Sequence, residues 1–322
     1  MPPLGFDPLT ASRAMFTILS ALTLKVNSMP KFLADKGTKA ADYAKMNNRL
    51  AAIRHVALDM DGTIYRGDTL FETTEPFLAL LKGLGIGHTF LTNNPSKSVL
   101  DYLAHLREIG IAATQDQLYT STQATIEYLR EKWPQIKSLF VLGTTSMCAE
   151  FSAAGFTLMP DSPAVEPDAV LVGFDTTLTY PRLCRAAWWI NQEKPYFGTN
   201  PDRVCPTDQP TVMVDCGSIC AALEAATAKK PSAVLGKPDP AMIRGILHRH
   251  HLQPQNLAMV GDRLYTDMAM AHRAGALGVL VLTGETDASE AARHSPAPDL
   301  VVADLAEFGA KLRSAHRERI PA

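Results

Sequence analysis

No hydrophobic run in this sequence approaches the roughly 20 apolar residues that a transmembrane helix needs. The chain also has no basic excess, because 31 Lys and Arg residues face 33 Asp and Glu residues, for a net charge of -2. Its five cysteines include no paired Cys-x-x-Cys spacing, which favours free buried thiols over a disulfide or zinc site. We therefore expect a cytoplasmic protein with neither a nucleic-acid nor a membrane partner.

The chain is longer than one hydrophobic core comfortably supports, since it has 322 residues, so two domains are expected. Residues 1–45 stand apart as an N-terminal extension of unknown role. They contain an apolar stretch at residues 14–24 that resembles part of a signal peptide, but no small-x-small cleavage site follows it. An amphipathic or docked helix is the favoured interpretation of that stretch.

From residue 53 onward, short apolar runs alternate with helical stretches. The runs, each followed by polar or turn residues, are residues 55–58, 87–91, 232–235, 257–260 and 277–282. The helical stretches are residues 76–84, 96–109, 240–250 and 265–274, with Ser96 and Pro240 as helix starts and Gly110 and Gly275 as stops. Runs this short suit strands buried on both faces of a parallel sheet, so the pattern predicts a doubly wound, Rossmann-like α/β domain.

A second strand and helix alternation lies between residues 120 and 230, with apolar runs at 139–142, 169–172 and 196–198. Its length is that of a small domain. We therefore predict a discontinuous core, residues 46–119 and 231–322, and a smaller α/β domain, residues 120–230, inserted into it. The inserted domain is called the cap below.

Polar side chains follow four predicted core strands, at the point where each strand ends. They are Asp59, Thr92, Lys237 and Asp262. Because open parallel sheets bind ligands at the carboxyl ends of their strands, we expect these side chains to meet at one edge. Each residue alone has an ordinary explanation, such as a turn, a surface lysine or a helix cap. Their occurrence as a set, each after a predicted buried strand, favours a single functional site.

The set supplies what phosphoryl transfer requires. Asp59 and Asp262 can hold a hard cation such as Mg²⁺ through their oxygens, and the other oxygen of Asp59 can attack phosphorus. Asp61, two residues farther on, can act as general acid and base. Thr92, Lys237 and nearby backbone N–H groups would surround the phosphoryl oxygens, where charge accumulates.

Four segments carry a resemblance to a known family. DMDGTIYRG, TNNPS, GKPDP and GDRLYTD resemble the four motifs of the haloacid dehalogenase (HAD) superfamily of hydrolases. The insert, with VGFD at 172–175 and GTNPD at 198–202, is similar to the cap of subfamily IIA. That subfamily contains the NagD-like, 4-nitrophenyl phosphate, phosphoglycolate and pyridoxal phosphate phosphatases. The resemblance covers the chain from residue 53 to its end.

The resemblance implies a Mg²⁺-dependent phosphatase that hydrolyses a small phosphate monoester through an aspartyl-phosphate intermediate. Asp59 would be the nucleophile and Asp61 the general acid and base. Thr92 and Asn93 would bind the phosphate, and Lys237 would balance its charge. The dehalogenases of the superfamily lack the second aspartate of the first motif, so Asp61 favours phosphate chemistry over carbon–halogen chemistry.

The same resemblance implies a metal site and its support. The metal would sit on the Asp59 carboxylate, the Asp61 backbone carbonyl and Asp262. Asp267 would orient Lys237 or the waters of the metal. The cofactor implied is therefore Mg²⁺, and the partner implied is a small phosphorylated metabolite.

In this subfamily the cap closes over the site and chooses the leaving group. By position, the loop at residues 200–210 is the candidate selector, and Arg203 is its only cation. A guanidinium matches a carboxylate or a second phosphate bidentately, so Arg203 is a tentative substrate contact. The alternative is an exposed arginine in a polar loop. Assembly of identical chains through the cap is also left open.

Two other classes of protein remain as alternatives. A phospho-acceptor signalling domain also places carboxylates, Thr and Lys at strand ends around Mg²⁺. A non-hydrolytic phosphate-ligand-binding protein on the same fold is the other, and a damaged motif is its expected mark. No motif residue is missing here, which favours the hydrolase. A phosphomutase would share Asp59 and Asp61, but the large insert resembles the hydrolases better.

Overall fold

The computed structural model describes residues 36–205 and 210–317. The chain divides into two units, Met1–Met46 and Asn47–Ala322. Most of the predicted extension at residues 1–45, including the apolar stretch at 14–24, lies outside the described residues, and its role stays a prediction. In the described ranges, no helix combines the length and apolar character needed to cross a bilayer.

Strands and helices alternate along the described residues. The strands are β1 (His55–Asp59), β2 (Tyr65–Arg66), β3 (Thr69–Leu70), β4 (Gly87–Thr92), β5 (Leu118–Thr120), β6 (Ser138–Leu142), β7 (Thr157–Leu158), β8 (Ala169–Val172), β9 (Tyr196–Gly198), β10 (Val204–Cys205), β11 (Met213–Val214), β12 (Ala233–Val234), β13 (Leu257–Gly261), β14 (Leu277–Val281) and β15 (Leu300–Val302). The α-helices are α1 (Lys36–Ala52), α2 (Thr74–Gly83), α3 (Val99–Glu108), α4 (Ser121–Lys132), α5 (Thr145–Ala153), α6 (Tyr180–Asn191), α7 (Cys216–Thr227), α8 (Ala241–Arg249), α9 (Ala269–Ala274), α10 (Ala288–Arg293) and α11 (Leu305–Arg317).

The larger sheet has six strands in the order β15-β14-β13-β1-β4-β5, and every neighbouring pair is parallel. All residues of β1, β13 and β14 are buried. Helices connect the strands, as a parallel sheet covered on both faces requires. This architecture confirms the predicted α/β fold with a Rossmann-like core.

A second sheet has five strands in the order β12-β9-β8-β6-β7, again paired in parallel. It contains the three strands predicted for the insert. It also contains β12, which we expected in the larger sheet; that expectation is wrong, because Ala233 and Val234 pair with Phe197 and Gly198 of β9. The division into a core and a cap at residues 120 and 230 stays a prediction, since sheet membership alone does not define a domain boundary.

Helix boundaries differ from prediction at their starts more than at their ends. The helix expected to begin at Ser96 begins at Val99, because the Ser98 side chain accepts from the Asp101 backbone N–H and forms a capping box. Pro240 is the N-cap of α8, close to its predicted place. Gly275 ends α9 in the left-handed conformation, with φ of 72°, as the stop signal predicted.

Candidate active site

Three adjacent strands of the larger sheet bring polar side chains to its carboxyl edge. Asp59 is the last residue of β1, Thr92 is the last residue of β4, and Asp262 directly follows β13. Because β13, β1 and β4 are neighbours in the sheet, the three side chains face a common region. All three are buried. The structure therefore brings together three residues that the sequence placed at strand ends.

Lys237 reaches this edge from the second sheet. The chain leaves β12, passes through Gly236 and places Lys237 beside Asp59. Gly236 has φ of 73°, and a Cβ there would lie 2.7 Å from Asn93 Oδ1 and 2.9 Å from Thr199 O. Glycine is required at this position because both its conformation and its surroundings exclude a side chain.

The ammonium of Lys237 is buried between two carboxylates. Its Nζ donates to Asp59 Oδ1 and lies 2.8 Å from Asp267 Oδ1. Burial alone would lower the pKa of Lys237, but the carboxylates of Asp267 and Asp59 raise it above its ordinary value. The lysine is therefore held in its charged form. Asp267 also accepts from the Arg263 backbone N–H at 3.2 Å, so both of its oxygens have contacts within the protein.

Asp262 completes a cluster of acidic oxygens. Ligand atoms of Asp59, Asp262 and Asp267 lie within 4.8 Å of one another. Asp262 Oδ2 accepts from the Glu285 backbone N–H at 2.7 Å, whereas its buried Oδ1 has no hydrogen-bond partner. Burial, with Asp59 next, raises the pKa of Asp262 to about 6. Three buried carboxylates, among them an Asp262 oxygen that no hydrogen bond satisfies, suit a hard cation, whose charge would offset their repulsion.

Two glycines make room for the Asp262 carboxylate. A Cβ at Gly62 or Gly284 would collide with Asp262 Oδ2. Gly62 also has φ of 84°, so the turn after Asp61 needs glycine for its backbone conformation. This turn is closed by Gly62 N–H donating to Tyr65 O at 2.8 Å. Asp61 is exposed at the start of this turn, where it pairs with Tyr65 in an isolated bridge and lines the site cavity.

Thr92 and Asn93 have different surroundings. Thr92 Oγ1 accepts from the Asn94 backbone N–H at 3.1 Å and lies 3.5 Å from the Tyr102 hydroxyl, which itself donates to Asn94 O. The Thr92 hydroxyl can thus turn its proton toward a ligand. The Asn93 side chain instead contacts Lys237 backbone atoms and the Asp202 carboxylate. Both residues line the cavity, but the Asn93 amide is engaged with the protein.

The site cavity has a volume of 270 Å³. It lies between the carboxyl edge of the larger sheet and residues that belong to or follow the second sheet, among them Asp202, Val204, Cys205 and Asp215. Asp59, Asp61, Thr92, Asn93 and Lys237 line it.

Arg203, the tentative substrate contact, is not among the residues that line this cavity. Its exposed side chain lines an adjacent cavity with Pro201, Pro238 and Tyr265. The neighbouring Val204 and Cys205 line the site cavity, and Val204 lines the adjacent cavity as well. Residues 206–209 of the predicted selector loop lie outside the described residues.

Arg263 is a cation of the site that the sequence analysis did not single out. It lines the cavity, and its Nε lies 2.9 Å from Glu285 Oε2. Burial would lower the pKa of Arg263, but anionic neighbours, Asp59 foremost, raise it above its ordinary value. The signal was present in GDRLYTD, where a cation directly follows the carboxylate at a strand end.

Comparisons with known proteins agree with this geometry. The profile of a family described as haloacid dehalogenase-like hydrolase matches residues 56–157, and a HAD-hydrolase-like profile matches residues 234–308. Among solved structures, a 4-nitrophenylphosphatase from Thermotoga maritima is 37% identical with a TM-score of 0.77, over 81% of this chain and 98% of that one.

Two further relatives belong to the same group. The ribonucleotide monophosphatase NagD of Escherichia coli is 29% identical over 256 residues, which are 80% of this chain and 98% of NagD. A glycerol phosphate phosphatase from Mycobacterium tuberculosis, solved in complex with magnesium, is 29% identical with a TM-score of 0.72, over 82% of this chain and 77% of that one. With the profiles and the shared fold, these similarities lead to one conclusion: the chain belongs to the haloacid dehalogenase-like hydrolases, in subfamily IIA, and its enzyme class is that of the phosphatases, which hydrolyse phosphate monoesters.

Proposed function

We propose that this chain is a Mg²⁺-dependent phosphatase that hydrolyses a small phosphate monoester through an aspartyl-phosphate intermediate on Asp59. The observation that carries the proposal is the arrangement around Asp59. One of its oxygens accepts from the buried Lys237 ammonium, and an unpartnered oxygen of Asp262 lies nearby. A carboxylate held in this way is an ionised nucleophile beside a site for positive charge.

The metal site would consist of Asp59, Asp262 and the Asp61 backbone carbonyl, with Asp267 as support. The fit rests on the unpartnered Asp262 oxygen and on the excess of buried negative charge. When bound, Mg²⁺ would supply positive charge close to the phosphoryl oxygens. Asp267 would keep Lys237 in place through the 2.8 Å contact of their side chains.

The first half of the reaction forms a bond between an oxygen of Asp59 and phosphorus and breaks the bond from phosphorus to the leaving-group oxygen. Asp61, exposed at the start of the turn after β1, donates a proton to the departing alcohol. Lys237 and the Thr92 hydroxyl stabilise the charge that develops on the phosphoryl oxygens.

The second half returns the enzyme to its starting state. Asp61, now ionised, takes a proton from a water molecule whose oxygen attacks phosphorus. The bond between phosphorus and Asp59 breaks, inorganic phosphate leaves, and the Asp59 carboxylate is restored. A non-hydrolytic binding or phospho-acceptor protein would stop before this half, so turnover separates it from the proposed enzyme.

The leaving group would be chosen at the side of the cavity formed by residues from the second sheet. A volume of 270 Å³ suits a small metabolite rather than a macromolecule. Names of relatives such as acid sugar phosphatase and glycerol-3-phosphate phosphatase support this class of substrate. Arg203 stays a prediction as a contact for acidic substrates.

Hydrolysis of 4-nitrophenyl phosphate, with Mg²⁺ or with a chelator, tests the proposal. The wild type should turn over only with Mg²⁺, and Asp59→Asn should lose about 10⁴-fold or more in kcat/KM because the nucleophile is gone. Asp116→Asn, at an exposed aspartate, is the matched control. Acid quenching during turnover should leave one phosphoryl group on the peptide that contains Asp59. Undiminished Mg²⁺-dependent turnover by Asp59→Asn would refute the nucleophile assignment.

A further inference from the structure

The side-chain amide of Asn93 is fully engaged with Lys237 and Asp202. Its Oδ1 accepts from the Lys237 backbone N–H at 2.6 Å, and its Nδ2 donates to Lys237 O at 2.9 Å. The same Nδ2 donates to Asp202 Oδ2 at 3.1 Å. An amide nitrogen has two hydrogens, and both are used here. The side chain therefore acts on the backbone that carries Lys237, with no N–H left for a substrate.

Asn93 is also contacted by the chain segments that join the two sheets. Ser121, which directly follows β5, donates its hydroxyl to Asn93 O at 2.7 Å. Lys237 lies on the return segment, after β12. Asn200, which follows β9, donates to Asn93 O at 3.1 Å. Both connections and one loop of the second sheet therefore meet at a single residue of the larger sheet.

Two hydrogen bonds hold the backbone of Asp202 in that loop. Its N–H donates to Asn200 Oδ1 at 2.9 Å, and its C=O accepts from the Gly217 N–H at 2.8 Å. A Cβ at Gly217 would collide with Pro201 O, so only glycine allows this close approach to the start of α7. Any displacement of the loop therefore carries the Asp202 carboxylate away from Asn93.

We propose that Asp202 is a positioning residue that acts through the Asn93 amide to hold the backbone of Lys237 in place. Asp202 Oδ2 accepts from the amide nitrogen, which holds Nδ2 toward Asp202 while Oδ1 accepts from the Lys237 N–H. Seating of the loop at Asp202 thereby sets the position of the ammonium that contacts Asp59. The proposal rests on the function proposed above, because it concerns the same lysine.

Two variants separate a hydrogen-bond role from other effects of the side chain. Asp202→Ala removes the acceptor, whereas Asp202→Asn keeps a side-chain oxygen that can accept from Asn93. In the full chain, with 4-nitrophenyl phosphate and Mg²⁺, Asp202→Ala should lower kcat about 10- to 100-fold with little change in KM, since a small misplacement of a reacting group has that effect. Asp202→Asn should retain kcat within about threefold. Asp161→Ala, which removes a surface partner of Arg185, is the control.

A second measurement reports the accessibility of the Lys237 side chain and does not depend on catalysis. Brief treatment with an acetylating reagent, followed by mass spectrometry, gives the labelling rate of each lysine. Lys237 is 4% exposed in the wild type and should label slowly, whereas in Asp202→Ala it should label several times faster. Labelling of Lys311, a partly exposed lysine on α11, should be the same in both proteins.

The outcomes distinguish this proposal from the function on which it rests. Wild-type kcat and slow Lys237 labelling in Asp202→Ala would overturn it, as would an Asp202→Asn variant as impaired as Asp202→Ala. If Asp202→Ala fails to fold, the same two measurements are made on Asp202→Asn and on Asn93→Asp, which loses both amide donors. Fast labelling of Lys237 in Asn93→Asp but not in Asp202→Asn supports the proposal. Slow labelling of Lys237 in both variants overturns it. Turnover by Asp59→Asn would refute the aspartyl mechanism and leave the labelling result standing.

Discussion

At the carboxyl edge of the larger sheet, Lys237 is buried between Asp59 and Asp267, whereas at the amino edge His55 is buried against other imidazoles. Asp59 and His55 are the last and first residues of the same strand, β1. The pKa of Lys237 is raised by its carboxylate neighbours. The pKa of His55 is lowered to about 3 by burial and then by His250 and His88. The two ends of β1 thus lie at two buried sites, one of which favours the charged form of its ionisable group and the other the neutral form.

The difference shows what decides whether a buried group keeps its charge. Burial disfavours the charged form at both edges, and at the carboxyl edge two carboxylates that contact Lys237 reverse that effect. His55 is stacked on His250, with ring centroids 4.3 Å apart, and its Nε2 lies 2.8 Å from Thr89 Oγ1. These contacts suit a neutral imidazole and supply no negative charge that would favour its protonated form. The carboxyl edge is therefore built to keep charge, and the amino edge to exclude it.

Removal of the Lys237 charge tests this comparison with the largest expected effect. Lys237→Met keeps most of the length of the side chain but leaves Asp59 and Asp267 without their cation. We expect kcat for 4-nitrophenyl phosphate to fall about 10³-fold, because a preorganised charge at the phosphoryl group is lost. Steady-state kinetics measure the change, and circular dichroism verifies that the variant is folded.

Lys311→Met is the matched control, since Lys311 lies 3.2 Å from Glu307 in a partly exposed pair on α11. It should leave kcat within about twofold, as exposed ion pairs contribute little. A folded Lys237→Met protein with wild-type kcat would contradict the comparison, because the charge of Lys237 would then have no role in catalysis.

Magnesium should reveal the excess negative charge at the carboxyl edge. At a Mg²⁺ concentration 100 times Kd, binding to the folded state alone contributes about 2.7 kcal/mol, which corresponds to a rise in Tm of about 5 °C. Asp262→Asn should lose this rise, and its metal-free Tm should stay level or increase, because the variant removes a buried carboxylate whose pKa is raised.

Asp299→Asn is the control for this thermal measurement. Asp299 pairs with Arg49 at 2.5 Å, so the variant should have a lower Tm while keeping the full Mg²⁺ shift. A full Mg²⁺ shift in Asp262→Asn would place the cation elsewhere. The comparison would then rest on Lys237 alone.

The carboxyl edge could be predicted from sequence because its chemistry is local to strand ends. Asp59, Thr92 and Asp262 each end or directly follow a short apolar run, and parallel strands bring such positions together. Lys237 was predicted to follow a core strand; it lies beside Asp59, but its strand belongs to the second sheet. Its apolar run has no feature that tells an edge strand of the second sheet from a core strand, since only pairing with β9 decides it.

The cap side of the site was less predictable, because loops lack a fixed side-chain period. Arg203 was singled out for its charge, yet Val204 and Cys205 are the neighbours that face the cavity. The engagement of Asn93 with Asp202 joins residues 109 positions apart and has no signature in the sequence. Long-range contacts of this kind depend on how the two sheets meet.

The smallest expected effect concerns His55 at the amino edge, where the direction in which pH changes the stability follows directly from its pKa. The folded-state pKa of His55 lies below the value of about 6.5 expected in the unfolded chain. As pH falls below 6.5, the unfolded chain therefore takes up a proton that the folded protein excludes. The contribution of His55 to stability is fully present above pH 6.5 and is lost progressively toward pH 3.

His55→Gln keeps a polar group that can reach Thr89 but cannot titrate. Between pH 7.5 and pH 5.0, the free energy of unfolding of the wild type should fall by about 2 kcal/mol more than that of the variant. Urea denaturation at several pH values measures this difference, and the carboxylates at the other edge cancel because both proteins contain them. His248→Gln, at an exposed histidine of α8, should parallel the wild type. Parallel curves for His55→Gln and the wild type would mean that the amino edge accepts a charge, and the contrast between the two edges of the sheet would then disappear.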